Sequence, residues 1–449
     1  MKKQETFQRT VIKIALPVTL QSLLQSSFSV IDQIMIGQLG KSSIAGIGLS
    51  AKFSSLYSVV LAAIATAAGI MISQHMGGKK NESVNRSFWT NLLLSIVLAT
   101  IFLVLCTAFP DIIMGIYTKD ESTRILAVKY IRILALSFLP MAVSSIVTTM
   151  LRCMEAAALP LYANIFALIL NTGLNYLLIF GKWIFPAMGV EGAAWASVIA
   201  QTVSFLIILV LFIRYHHRNG QDLITHWNRR IFGAKEYWVQ YLKILCPILI
   251  CEFLWSLGEN VYAVIYGNMG TDACAAMTMT VPIQTLIIGA LSGLSQAAGI
   301  LIGKSLGGKQ YEKAYLESKK LMKYGFFGSL LLSAILIAAS PFYVKIYNVE
   351  PTLQKMTWTV LIAFAIISPI KVQNMILGGG IIRSGGKTKY VMFIDIIGTW
   401  LFGVPLGLLS AFLWKLPIAY VYFILSLEEC VRFAISLVLF RRKSWMESL

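Results

Sequence analysis

The sequence predicts an all-α polytopic membrane protein, with twelve transmembrane helices arranged as two six-helix bundles. Hydrophobic residues make up 57% of its 449 residues and charged residues only 13%, about half the charged share of a soluble domain. A spanning helix needs about 20 apolar residues, and twelve apolar runs of about that length are bounded by charges or Gly/Pro clusters. The second half of the chain also repeats the first.

The predicted spans follow one another with short polar connections. They cover residues 11–36, 44–72, 88–109, 125–150, 159–180, 190–213, 240–266, 273–302, 323–345, 355–381, 390–412 and 417–440. We expect three parts: an N-terminal six-helix lobe at 1–213, a cytoplasmic connector at 214–239 and a C-terminal six-helix lobe at 240–449. The connector contains three of the four histidines, His216, His217 and His226, but no Cys or carboxylate cluster that would favour a metal site there.

The distribution of basic residues predicts the orientation, because cytoplasmic loops collect Lys and Arg. With the N-terminus inside, 26 of the 38 basic residues fall on the inner side, 8 on the outer side and 4 within spans. Both termini are therefore expected in the cytoplasm of a multi-pass protein of the plasma (inner) membrane. The net charge of +18 reflects this topology, so no nucleic-acid partner is expected.

The internal repeat becomes visible when the chain is aligned with itself at an offset of 230 residues. Pro17 then matches Pro247, and the segment Gly77–Lys79 matches Gly307–Lys309. Matched Pro and Gly positions are more informative than matched apolar residues. Because the offset crosses six spans, an even number, both copies enter the membrane in the same direction, which predicts parallel repeats of the kind found in transporters. Gly303–Lys309 also fits the GxxxxGK pattern, but Gln310 replaces the Ser or Thr that binds magnesium, so we expect no ATP site.

Polar side chains in the first and fifth spans lie on single helical faces. Gln21, Gln25, Ser29 and Asp32 follow one another at i, i+4, i+8 and i+11, and Asn164, Asn171 and Asn175 at i, i+7 and i+11. Ionisable groups at membrane depth are costly and therefore indicate function. The first face is expected to line a wet cavity. The asparagines could coordinate a cation or form interhelical hydrogen bonds.

The C-terminal half carries its own polar groups within spans. Glu252, Ser256 and Glu259 share a face of the seventh span, and Trp255 and Tyr262 lie nearby. Carboxylates beside aromatic rings suit lipophilic cations, although neighbouring helices could satisfy these carboxylates instead. Asp395 and Lys371 also lie within spans, and Glu428 can pair with Arg432 at i+4.

Several segments together resemble the multidrug and toxic compound extrusion (MATE) family of secondary transporters. They are Ala15–Pro17, Val30–Gly40, Gly189–Ser197, Glu252–Gly258, Ile265–Gly270 and Arg383–Gly386. The resemblance covers nearly the whole chain and implies export driven by entry of sodium or protons. It also implies that Asp32, Asn171, Asn175 and Ser197 form the cation-coupling site, with Na⁺ the one possible bound metal ion and no cofactor.

These observations predict a monomeric antiporter that exports organic, often cationic, compounds. The substrate cavity is expected to include Gln21, Gln25, Ser29, Asn164, Glu252, Trp255, Ser256, Glu259, Tyr262 and Asp395. The alternatives are a flippase of lipid-linked oligosaccharides from the same superfamily and an integral membrane enzyme. The usual catalytic spacings are absent from the sequence, so no catalytic residues are predicted.

Overall fold

The computed structural model describes residues 7–183, 185–219, 235–347 and 349–449, and these residues form helices and short turns without a β-strand. The predicted all-α class is thus confirmed. Most of the predicted cytoplasmic connector, residues 220–234 including His226, lies outside the described residues.

The first half of the chain forms eight helices joined by short turns. They are α1 (Phe7–Gly37), α2 (Lys41–Gly77), α3 (Asn81–Ala108), α4 (Pro110–Tyr117), α5 (Glu121–Leu134), α6 (Phe138–Cys153), α7 (Ala158–Phe180) and α8 (Gly189–Asn219). A single 3₁₀ turn, Ala135–Ser137, joins α5 to α6, so these two helices make one span. The short helix α4 was not predicted. It begins at Pro110, whose missing N–H is tolerated at the first position of a helix.

The second half adds eight helices. They are α9 (Lys235–Asn268), α10 (Thr271–Gly307), α11 (Tyr311–Val344), α12 (Pro351–Asn374), α13 (Thr388–Asp395), α14 (Val404–Leu408), α15 (Ile418–Leu425) and α16 (Glu428–Arg441). Three π-helical segments continue these helices, at Met375–Ile382, Ile396–Gly403 and Leu409–Leu413. Such wider turns occur frequently at functional sites.

Within the described residues, eleven helical segments are long and apolar enough to cross a membrane. They correspond to the first eleven predicted spans. The twelfth predicted span is divided, because α15 ends at Leu425 and α16 begins at Glu428. Several helices also continue into polar sequence beyond the apolar runs. For example, α11 begins at Tyr311 rather than near residue 323, because backbone hydrogen bonding does not stop where hydropathy falls.

The helix boundaries follow the same 230-residue offset as the sequence repeat. Helices α2 and α10 each contain 37 residues and start 230 positions apart, and the helices that follow them start at Asn81 and Tyr311, again 230 apart. The turns between them match in conformation, since Lys79 and Lys309 adopt left-handed φ values of 55° and 56°. The two sequence copies therefore fold alike where their Gly-Gly-Lys segments occur.

The described chain divides into two compact units, which share α1 and α2. The N-terminal unit contains Leu20–Ile72 and the chain from Lys80 to Asn219. The C-terminal unit contains α1 up to Thr19, the segment Ser73–Lys79 and the chain from Lys235 onward. The division of α1 falls just after Pro17, which lies inside the helix. The lobe boundaries expected at residues 213 and 240 stay a prediction.

Each unit has its own apolar core. In the N-terminal unit, Tyr57, Phe138 and Ile131 pack among fully buried residues of α2, α5 and α6, and the Tyr57 hydroxyl donates to the backbone carbonyl of Phe138 at 2.6 Å. In the C-terminal unit, Phe364 and Leu361 of α12 are fully buried in a core shared with α9, α10 and α15. These cores hold the helices that carry the polar groups described next.

Candidate functional site

Asp32 lies near the end of α1 and is joined to asparagines of α7. The amide Nδ2 of Asn175 donates to Asp32 Oδ1 at 3.0 Å and also lies 3.3 Å from Asn171 Oδ1, which accepts from it. Asn171 and Asn175 are one helical turn apart, so both amides lie on the same face of α7, and Asn175 links Asn171 to the carboxylate. Asn175 is buried, and Asp32 and Asn171 are partly buried.

A third helix completes this cluster. Asn171 Nδ2 donates to Ser197 Oγ of α8 at 3.5 Å, and the Ser197 hydroxyl donates to the carbonyl of Ala193 at 3.2 Å. Asp32, Asn171, Asn175 and Ser197, which the resemblance grouped, are therefore contiguous in the N-terminal unit. We call these four residues the Asp32 cluster.

Tyr130 of α5 is a further neighbour of the Asp32 cluster. Its side chain is buried and interacts with both Ser197 and Asp32. Sequence reasoning missed this residue. The sequence contains 18 tyrosines, and Tyr130 is the only one in α5. Neither a spacing pattern nor a charge therefore distinguishes it from the other tyrosines.

The oxygen atoms of the Asp32 cluster are suited to a small cation. The cluster contains one carboxylate, two amide oxygens and one hydroxyl, all of them hard ligands. Asn175 Oδ1 is buried and has no hydrogen-bond partner in the described part of the chain. A buried acceptor without a partner carries a desolvation cost that either a bound cation or a donated proton would relieve.

The remaining predicted residues of the N-terminal unit lie along α1 and α7. Gln21 Oε1 accepts from Arg152 Nη2 of α6 at 3.1 Å, while Gln25 and Ser29 are exposed. Other described residues therefore leave Gln25 and Ser29 uncovered, and the expectation that this face lines a wet cavity stays a prediction. Asn164 belongs to a different contact, because its Oδ1 accepts from Ser204 of α8 at 3.3 Å. It is not part of the Asp32 cluster.

In the C-terminal unit, two of the predicted carboxylates are neutralised by arginines. Glu252 Oε1 lies 3.2 Å from Arg383 Nη1, and Asp395 Oδ1 lies 3.7 Å from Arg432 Nη1. The Cys251 thiol donates to the second oxygen of Asp395 at 2.7 Å. The arginine partners of both carboxylates come from other spans, so sequence spacing could not predict these pairs.

A second set of buried charges surrounds the start of α16. Glu428 pairs with Arg432 at 3.5 Å, which confirms the predicted i, i+4 contact, and it accepts from the Tyr262 hydroxyl at 2.5 Å. Tyr262 is therefore buried among protein groups rather than open to a cavity. Lys371 lies 3.8 Å from Glu429, which identifies the carboxylate that this lysine neutralises.

Glu259 differs from the other carboxylates of this unit. It is exposed and takes part in no ion pair or side-chain hydrogen bond within the described residues, although Lys371 is close enough to interact with it electrostatically. Trp255, one turn earlier on α9, is also exposed, and Ser256 is partly buried. Glu259 and Trp255 are thus a carboxylate and an aromatic ring available to a ligand.

The sequence is similar to a known family and to individual proteins over most of its length. The sequence profile described as MatE matches residues 17–177 and 247–409, which is one match to each copy of the internal repeat. The uncharacterised transporter YisQ of Bacillus subtilis is 23% identical, with 99% of each chain covered. The probable multidrug resistance protein NorM of Thermotoga maritima is 22% identical, covering 98% of this chain and 93% of the relative.

Solved structures share the fold over nearly the full length. A crystal structure of MATE in complex with MaL6 superposes with a TM-score of 0.88 at 17% identity, covering 98% of this chain and 97% of the other. A MOP superfamily transporter from Pyrococcus furiosus, whose binding pocket is described as reversed in polarity, gives a TM-score of 0.86 at 18% identity, with 98% and 97% covered.

Proposed function

The chain belongs to the MatE family of transporters, which are not enzymes, and we propose that it exports organic, often cationic, compounds by antiport against Na⁺ or H⁺. The observation that carries this proposal is the Asp32 cluster. It joins one carboxylate to two amides and a hydroxyl, on helices long and apolar enough to cross a membrane, around a buried acceptor that has no partner among the described residues. We further propose that the transporter acts as a monomer in the plasma (inner) membrane with both termini in the cytoplasm.

Coupling at the Asp32 cluster requires that ion and substrate favour different states. A cation or proton that neutralises Asp32 removes the charge that Asn175 Nδ2 now stabilises, so the amides of α7 can rearrange. An ion shifts a conformational equilibrium only by its difference in affinity for the two states. Because the linkage is reciprocal, a substrate that favours the other state weakens ion binding by the same factor.

The proposal is tested in proteoliposomes with sodium and pH gradients imposed independently. Efflux of a fluorescent permanent cation should depend on one of these gradients in the wild type. Asp32→Asn keeps the size of the side chain and removes its charge, so gradient-dependent efflux should fall by at least about tenfold. Asp272→Asn is the matched control, since Asp272 is exposed at the start of α10.

The result also separates the two coupling ions. Sodium-dependent efflux that is lost in Asp32→Asn assigns Na⁺ to the cluster, and pH-dependent efflux lost in the same variant assigns H⁺. If Asp32→Asn retained wild-type dependence on both gradients, Asp32 would have no part in coupling.

Substrate recognition in the C-terminal unit is proposed to involve Glu259 and Trp255. Glu252 and Asp395 pair with arginines, whereas Glu259 is exposed and has no ion-pair partner within the described residues, and the exposed Trp255 one turn away adds cation–π attraction. Glu259→Gln should weaken binding of a permanent cation by about threefold to tenfold, the size expected for loss of one exposed charge contact. Glu350→Gln, at an exposed turn before α12, should leave the affinity unchanged.

A further inference from the structure

Arg152 lies near the end of α6 in the N-terminal unit, where its guanidinium has an incomplete set of partners. Its Nη2 donates to the neutral amide oxygen of Gln21 at 3.1 Å. Among the described residues, its buried Nε has no hydrogen-bond partner and no carboxylate pairs with the guanidinium. A partly buried cation therefore lacks a counter-charge.

In the second copy of the internal repeat, the corresponding arginine has a carboxylate partner that Arg152 lacks among the described residues. Arg383 is the counterpart of Arg152 in the second copy, and its Nη2 contacts Cys251, the counterpart of Gln21, at 3.2 Å. Arg383 also contacts the adjacent Glu252 at 3.2 Å through Nη1. The position that corresponds to Glu252 in the first copy is Ser22. In both copies an arginine thus contacts the same position of the helix that contains the matched proline, α1 in the first copy and α9 in the second. Within the described residues, the first copy has no carboxylate beside this arginine.

An uncompensated guanidinium in a buried setting is costly, and an anion that reaches it recovers much of that cost. A carboxylate suits this role, because the planar guanidinium fork matches its two oxygens. Gln21 begins the polar face of α1, on which Gln25 and Ser29 are exposed. A ligand on this face would therefore lie next to Arg152.

We propose that Arg152 is a substrate-binding residue that receives the carboxylate of transported compounds. This rests on the proposed transport function and specifies its substrate class. Asp32 lies 11 residues beyond Gln21 on the same helix, about 16 Å at 1.5 Å per residue. The polar face of α1 thus has a positive group near one end and a negative group near the other. Amphoteric compounds, which carry both a carboxylate and a cation, complement this arrangement.

A pair of dyes that differ in one group tests the proposal. Tetramethylrhodamine carries a free carboxylate, and its methyl ester keeps the same cationic ring system without it. Equilibrium binding of each dye to the purified full-length protein is measured by fluorescence polarisation. In Arg152→Gln, the Kd of the free acid should rise about tenfold, as expected for loss of a charge-assisted hydrogen bond, while that of the ester should change by less than about twofold.

Two further variants separate recognition from a structural role. Arg152→Lys keeps the charge and should retain part of the preference for the free acid. Ser22→Glu introduces the carboxylate that the second copy has at Glu252, so it should weaken binding of the free acid while Arg152 remains in place. Melting temperatures of all variants are compared to establish that each one is folded.

The proposal is overturned if Arg152→Gln weakens both dyes equally, if it weakens neither, or if neither dye binds the wild type. Because binding at equilibrium requires no ion gradient, this test is independent of coupling. If efflux of the ester did not depend on the sodium gradient or the pH gradient, the proposed antiport would be rejected. The preference for the carboxylate would not be affected by that result. Gradient-driven efflux without that preference would reject only the role of Arg152.

Discussion

Gly77 of α2 packs against α10, and Gly307 of α10 packs against α2, with no room for a side chain at either position. A Cβ atom on Gly77 would lie 1.9 Å from the carbonyl oxygen of Lys304, and one on Gly307 would lie 1.8 Å from the carbonyl oxygen of Gln74. Both contacts lie within the C-terminal unit. The glycines that reveal the repeat in the sequence are thus required by a close crossing of α2 and α10, as in other small-residue helix contacts.

Gly307→Ala should destabilise the protein. The new methyl group would meet backbone rather than a movable side chain, so the helices must separate, at a cost of about 1–3 kcal/mol. The apparent melting temperature in detergent should fall. Gly48→Ala is the matched control, since a Cβ on Gly48 of α2 meets nothing within 4 Å and alanine favours helix. Equal melting temperatures for Gly307→Ala and the wild type would contradict the close crossing.

Arg432→Met should destabilise the C-terminal unit strongly. Arg432 is buried and pairs with Glu428 and Asp395, so its removal leaves buried carboxylates without their cation, at a cost of about 3–5 kcal/mol. Adding Glu428→Gln should recover part of this loss, because one buried charge then disappears. Thermal unfolding of the two single variants and the double variant measures the coupling. Simple additivity of the two changes would argue against a shared ion-pair network.

Trp445→Ala should release the C-terminal segment 442–449. Trp445 is fully buried and stacks on Phe440, and the backbone N–H of Leu449 donates to Gln74 Oε1 at 2.7 Å. Loss of a buried indole costs about 3–5 kcal/mol. Amide hydrogen exchange should therefore accelerate in this segment, while α7 keeps its protection. Trp414→Ala, which changes a tryptophan that is 52% exposed, should have little effect on exchange at 442–449.

Asp120→Ala should reduce stability in a pH-dependent manner. Hydrogen bonds from Thr123, and then from Ser122, hold the pKa of the Asp120 carboxyl below its ordinary value as it caps α5. A lowered pKa in the folded state means that the stabilisation is present above the unfolded value of about 3.9 and is lost as the pH falls through the folded value. The melting-temperature difference between wild type and Asp120→Ala should therefore be largest at neutral pH and should disappear in acid. Glu121→Gln, which removes the neighbouring carboxylate but leaves the Asp120 cap in place, is the matched control.

The helical class, the repeat and the order of eleven spans could be read from the sequence because each depends on local properties. Hydropathy over about 20 residues predicts a span, since unpaired backbone groups are too costly in lipid. Matched glycines and prolines predict the repeat. The pairing of Glu428 with Arg432 was also predictable, because residues four apart on a helix face the same side. The break between α15 and α16 was not, because its residues Ser426 and Leu427 include no Gly or Pro that would indicate a helix end.

Long-range pairing was decided by the tertiary structure alone. Asp32 and Asn175 are 143 residues apart, and Glu252 and Arg383 are 131 apart, so no helical period relates them. Which carboxylates have an ion-pair partner depends on which arginine packs beside them, and that follows from helix packing. Glu259 and Arg152 were therefore distinguished from other charged residues only once their neighbours were known. Local chemistry determines which groups enter the membrane, and packing determines which of them remain available to a ligand.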